Sequence, residues 1–248
     1  MAEKATLNLF FDLDDTLIHC NKYFDLVIDQ FAELMLTWFS SYPLSKENLK
    51  KTQLELDLAG IRVEGFAADR FPESFGETYD HYCALYGRAS DADERKRLVE
   101  LGYTVYDSEF ELYPDVVATL ERLKKDGYVI SLYTGGDETI QRRKAEKVNL
   151  APFFEDRIFV AQHKNSAALE RILTKSGFDR SRTWMIGNSL RTDIAPAIEC
   201  GIGAIYIPPL SNWAFDLVEV SLGETDRLLK LESIAQVPDA VAEIAAQR

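Results

Sequence analysis

A chain of 248 residues with 46% hydrophobic and 28% charged side chains has the balance of a globular protein of one or two domains with a sizeable core. Its formal net charge of −13 argues against non-specific binding to nucleic acid or to an anionic membrane surface. An anionic small molecule stays possible, because a local cation can invert the field inside a cleft. Met1-Ala2-Glu3-Lys4 runs directly into an apolar segment, and no apolar run approaches transmembrane length, so neither a signal peptide nor a membrane span is expected. Cys20, Cys83 and Cys200 are far apart and lack metal-ligand spacing, which reads as free thiols in a reducing cytoplasm.

Leu7 to Phe11 is a short, mostly apolar run that fits a buried strand of a parallel sheet, and it ends in Asp12-Leu13-Asp14-Asp15-Thr16-Leu17. Helical periodicity then takes over. Lys22–Phe39 predicts a helix stopped by Pro43, and Ser45 caps a second one stopped by Gly60. Ile61 to Arg70 reads as irregular, Pro72 opens a third helix to Tyr86, and Ser90 or Asp91 starts a fourth that ends near Leu101. The aromatic stripe Phe66, Phe71, Phe75, Tyr79, Tyr82 and Tyr86 reads as core.

From Pro114, placed in the first turn of a helix closed by Gly127, strands and helices alternate. Strands are expected at Tyr128–Tyr133, Arg157–Val160, Thr183–Ile186 and Ala204–Ile207. Helices are expected after Asp137, from Ser166 to Ser176, from Thr192 or Asp193 to Gly201, and from Pro238 to Ala246, with no clear pattern from Asn212 onward. Repeated units of this length imply an α/β fold, a parallel sheet with helices on both faces, into which the helical block is inserted after the first strand.

The acids at the end of the first strand need an explanation. Two carboxylates about 4 Å apart repel by roughly 4 kcal/mol at an effective dielectric near 20. In extended backbone Asp12 and Asp14 point to the same side. Two readings stand on this stretch alone: a metal-assisted phosphoryl-transfer site, or a turn in which Asp14 to Thr16 cap a helix. Ligands of open parallel sheets bind beyond the strands' carboxyl ends. The polar residues expected there are Asp12 and Asp14, then Thr134 with Gly135 and Gly136, then Lys164, then Asn188, Ser189 and Asp193. Carboxylates, a hydroxyl with permissive glycines, a lysine and an amide are the groups that Mg²⁺ and a transferring phosphoryl group require.

Taken in this order, the motifs resemble those of the haloacid dehalogenase superfamily, over nearly the whole chain. The resemblance implies a Rossmann-like core (1–17 and 108–248) and a mostly helical cap domain (18–107). It implies that Asp12 is a nucleophile forming an aspartyl-phosphate and that Asp14 is a general acid and base. Thr134, Gly135 and Lys164 would bind the substrate phosphate, and Asp12, Asp14, Asn188 and Asp193 would hold Mg²⁺. The implied activity is hydrolysis of a small phosphorylated metabolite. Asn188 stands where the family commonly has Asp, and Asn165 where it often has Pro; Asp14 stands where the dehalogenases resemble Tyr. The alternatives are another reaction on the same scaffold (phosphomutase, phosphonatase or dehalogenase) and a non-catalytic phospho-ligand-binding protein. His19, His81, His163, Arg62, Arg70 and Cys20 read as packing, turn or solvated residues. Substrate identity and oligomeric state are not legible.

Overall fold

The computed structural model describes residues 6–210 and 227–246. The start at Met1–Lys4 and, of the stretch beginning at Asn212, residues 212–226 lie outside the described residues. The described chain divides into two compact units, Asn21–Glu109 and the residues on either side of it.

In the discontinuous unit, β1 (Asn8–Phe11) is fully covered at Leu9, Phe10 and Phe11. After the other unit the chain resumes with α5 (Val116–Lys125), β2 (Val129–Gly135), α6 (Glu138–Lys147), α7 (Ala151–Phe154), β3 (Ile158–Ala161) and α8 (Ser166–Ser176). It then forms β4 (Thr183–Gly187), a wide turn Leu190–Ile194, α9 (Ala195–Glu199), β5 (Gly203–Tyr206), β6 (Leu228–Lys230) and α10 (Val237–Ala246). The sheet is entirely parallel in the order β3-β2-β1-β4-β5-β6. The strand order reverses between β1 and β4, the place where open α/β sheets bind their ligands. One face is packed by Phe10, Tyr133, Met185 and Ala204 against Leu169, Leu173 and Ala197 of α8 and α9. Leu9 and Phe11 alternate with Phe10 and face the opposite side, where α5 lies on β2 and α10 on α5.

The sheet is wider than expected. β6 is a three-residue edge strand too short to show a period. Pro114 lies in a turn ahead of α5 rather than in its first turn, because Asp115 takes a left-handed φ of 64°. The chain leaves the sheet unit and returns to it side by side: His19 N donates to Glu111 O (2.8 Å), Tyr113 N to Leu17 O (2.9 Å), and Ile18 bridges Leu112 antiparallel.

The other unit contains α1 (Asn21–Trp38), α2 (Lys46–Glu64), α3 (Arg70–Tyr86) and α4 (Ala92–Tyr103). Ser45 and Asp91 cap α2 and α4 through their side chains. The core joins Phe31, Met35, Phe39, Phe71, Phe75, Tyr79, Tyr82 and Leu98. Two expectations are corrected here. Gly60 does not end α2; the helix runs on to Glu64 and stops at Gly65, with Gly60 giving room to the Arg70 side chain, whose Cδ would lie 2.1 Å from an added Cβ. Residues 61–70 therefore hold the end of α2 and the start of α3 rather than one irregular stretch.

Candidate active site

β1 ends at Phe11, and Asp12 N still donates to Ile186 O of β4 (2.9 Å), so the Asp12 main chain is held by the sheet. Its carboxylate is buried, as are Lys164 and Asp193. Lys164 Nζ stands 2.6 Å from Asp12 Oδ1 and 2.5 Å from Asp193 Oδ1. One ammonium group thus joins the end of the first strand to a residue on the turn after β4. Burial pushes the Asp12 carboxyl up, Lys164 opposes this, and Asp193 adds to it. Burial works against the Lys164 ammonium, but the two facing carboxylates outweigh it and raise its pKa.

Asp193 does not start a helix, as the sequence pattern suggested. Ser189 accepts from Thr192 N and caps the turn Leu190–Ile194, which brings Asp193 back beneath the strand end. There Ser189 N donates to Asp193 Oδ2 (2.9 Å). Gly187 permits this approach, since a Cβ on it would stand 2.3 Å from Asp193 Oδ2. Thr16 donates to Asp12 Oδ2 (3.0 Å), and Asn188 Oδ1 lies 3.2 Å from the same hydroxyl. A hydroxyl has one proton for two acceptors. Asp12 Oδ2 and Asn188 Oδ1 are therefore two hard oxygens crowded on one small group, the kind of donor a divalent cation takes.

Asp14 turns toward α6. Lys144 Nζ lies 3.0 Å from Asp14 Oδ1 and 2.9 Å from Oδ2. Gln141 Nε2 donates to Asp14 Oδ2 (2.9 Å) and to Thr134 Oγ1 (2.7 Å). Gly136, at φ 141°, leaves the space that Gln141 fills. Gly135 closes β2 opposite Ala161. Burial works against the Lys144 ammonium, and Asp14 more than offsets it, so its pKa too is raised. Gln141 and Lys144 were missed in the sequence. The available signal was their i, i+3 spacing on a helix capped by Asp137 just past the Thr134 strand.

Every residue singled out at the strand ends lies in this cluster or on its rim; of the other polar residues first read as packing, turn or solvated positions, Cys20 alone reaches it, through Lys144. His19 packs on the Tyr113 ring (3.9 Å between centroids), and His81, His163 and Arg62 are exposed. Arg70, expected to be solvated, is buried and paired with Glu77 at 2.5 Å, because it lies across Gly60. Cys20 is buried with its Sγ 3.5 Å from Lys144 Nζ. Among the described residues, no three His, Cys, Asp or Glu side chains gather as a metal-ligand group. Mg²⁺ does not need one: it binds through one or two carboxylates and keeps several waters.

A family profile described as a haloacid dehalogenase-like hydrolase matches residues 8–201. The chain belongs to this family of hydrolases. A haloacid dehalogenase-like hydrolase from Xanthomonas campestris of known structure is 26% identical with a TM-score of 0.80, over 98% of this chain and 93% of that one. A glyceraldehyde 3-phosphate phosphatase of Methanothermobacter thermautotrophicus is 24% identical over 80% of this chain and 84% of its own length. A phosphoglycolate phosphatase of Aliivibrio fischeri is 34% identical over a shorter stretch, 36% of this chain and 41% of its own. As a haloacid dehalogenase-like hydrolase, the chain has the parallel sheet of its relatives, with its carboxylate–lysine cluster at the strand ends. No helix among the described residues is long and apolar enough to cross a membrane.

Proposed function

We propose that this hydrolase is a Mg²⁺-dependent phosphatase of small phosphomonoesters. The observation that carries the reading is the Lys164 ammonium held between Asp12 and Asp193, with Asp14 and Thr134 joined by one glutamine. Asp12 Oδ attacks phosphorus and the ester oxygen leaves, giving an aspartyl-phosphate; water then attacks phosphorus and frees Asp12, so one displacement becomes two easier ones. Asp14 enters the first step carrying a proton, gives it to the departing alkoxide, and regains one from the attacking water in the second step. Thr134, Gly135 and Lys164 hold the non-bridging phosphoryl oxygens.

The all-oxygen donors and the excess of carboxylates over ammonium groups fit Mg²⁺. Asp12, the main-chain carbonyl of Asp14, Asn188 and Asp193 would hold it. When bound, it would offset the negative charge of a phosphate beside these acids. Asn188 brings no charge to this set, so the charge that holds the cation would come from Asp12 and Asp193. A second acid at position 14 favours phosphoester over carbon–halogen chemistry. The relatives named as phosphatases of glyceraldehyde 3-phosphate and phosphoglycolate support a small substrate. The helical unit, residues 18–107 as first read from the sequence, is the cap that excludes water during the first step. Three cysteines without disulfides fit a cytoplasmic setting.

The test is hydrolysis of 4-nitrophenyl phosphate with and without Mg²⁺, wild type against Asp12→Asn. Activity that requires Mg²⁺ and falls at least about 10³-fold in Asp12→Asn is expected. Equal rates in the two proteins would remove Asp12 as the nucleophile.

A further inference from the structure

Lys144 is the one buried basic residue on α6; Arg142, Arg143 and Lys147 all reach solvent. Burying an ammonium group is costly unless it is paired. Lys144 contacts both oxygens of Asp14, so it fixes the plane of that carboxylate as well as its position. The Phe110 ring stands 4.9 Å from the ammonium and Cys20 Sγ 3.5 Å, so the remaining surroundings are largely apolar. Besides Lys144, Asp14 is held by Gln141 and approached by the Cys20 thiol, and Lys144 is the cation among these partners. Asp14 follows the end of β1 and precedes Asp15, which takes a left-handed φ of 56°, so the strand geometry is already lost there. Gln141, one helical turn before Lys144, ties the same carboxylate to the Thr134 hydroxyl.

We propose that Lys144 is a positioning residue that, with Gln141, holds the Asp14 carboxylate at a set distance from Thr134, and so aims it at the ester oxygen of a phosphate seated there. α6 then fixes the separation between the proton-transferring group and the phosphoryl seat. No proton leaves Lys144 in this role; it acts only through Asp14. The inference rests on the phosphatase reading of the site.

Leaving-group dependence of kcat/KM tests it, because kcat/KM reports only the steps up to ester cleavage. An alkoxide needs a proton as it departs and a nitrophenolate does not. In Lys144→Met, kcat/KM for propyl phosphate should fall by about 30-fold or more, within the usual range for a lost acid–base contribution, while that for 4-nitrophenyl phosphate falls less than about threefold. Lys144→Arg should restore much of the propyl phosphate rate. A general packing role would lower both esters by the same factor; an unchanged ratio, or one shifted toward propyl phosphate, overturns the proposal. If Lys144→Met does not fold, Lys144→Gln is read by the same ratio, since it keeps a donor without the charge. Wild-type protein inactive on both esters would sink the phosphatase reading itself. Wild-type turnover with an unaltered ratio in the variants would sink only the role of Lys144.

Discussion

At the level of single residues, the site depends on a missing side chain as much as on those present. Asp193 lies under the end of β4 because residue 187 has no Cβ. In Gly187→Ala the new methyl would meet the carboxyl carbon of Asp193 at 2.4 Å, and Asp193 is already held by Ser189 N and Lys164. Something must shift, at a cost of about 1–3 kcal/mol typical of overpacking. The urea midpoint of Gly187→Ala should drop accordingly, and phosphatase activity should need more Mg²⁺; an unchanged midpoint would mean that the turn after β4 yields freely. Asp12, Lys164 and Asp193 were legible in the sequence because an acid, a lysine and an acid each follow a recognisable strand. Lys144 was not, because a lysine among Arg142, Arg143 and Lys147 on a strongly charged helix reads as solvated surface. Its burial comes from a partner 130 residues away in sequence.

At the level of elements, α2 and α3 meet around an unusual polar patch. Gln53 donates to Ser74 (2.9 Å), Arg70 crosses Gly60, and Asp57 is buried without an ion pair to Arg70. Burial pushes the Asp57 carboxyl up to about 7 from 3.8, with Arg70 opposing. A carboxyl raised in the folded state binds its proton there more tightly than in the unfolded chain. It therefore costs nothing below the unfolded value, and stability is lost as pH rises from there through about 7. Asp57→Asn should be more stable than wild type by about 2–4 kcal/mol at pH 8 and little different at pH 4. Urea denaturation at the two pH values checks this; the same difference at both would show that Asp57 titrates alike in the folded and unfolded chains, with no upward shift on burial. The same patch explains why the sequence misled at Gly60. A glycine in a helical pattern reads as a stop, yet here it accommodates a side chain from the next helix. Ser45, Asp91, Asp137 and Gly177 lie at helix ends, as their residue types suggested. β6 had no comparable signal, since three residues at a sheet edge carry neither period nor cap.

For the whole molecule, each unit contains its own hydrophobic cluster, one around Phe10 and Met185 and one around Phe31 and Phe75. Replacing residues 21–109 with Gly-Ser-Gly-Ser should leave a sheet unit that melts cooperatively by circular dichroism, because Leu17–His19 and Glu111–Tyr113 already lie side by side where the chain departs and returns. A non-cooperative melt would mean that this unit cannot stand alone. The alternation of strand and helix after Pro114 made the parallel sheet readable in advance. The reversal in strand order between β1 and β4 was not readable, because adjacency within a sheet leaves no local mark on composition.

That pair of neighbouring crossings also bears on how the polypeptide finds its form. β1 and β2 align Phe11 with Leu132 despite a separation that would make their meeting slow for an unconstrained chain. With Ile18 paired to Leu112 the long excursion is a closed bubble, so after the cost of closing it has been met the two strands are separated by a short path and one helix. A detour of any length could then be accommodated with only a slowly growing entropic penalty, which leaves the assembly of the sheet nearly indifferent to what the bubble contains.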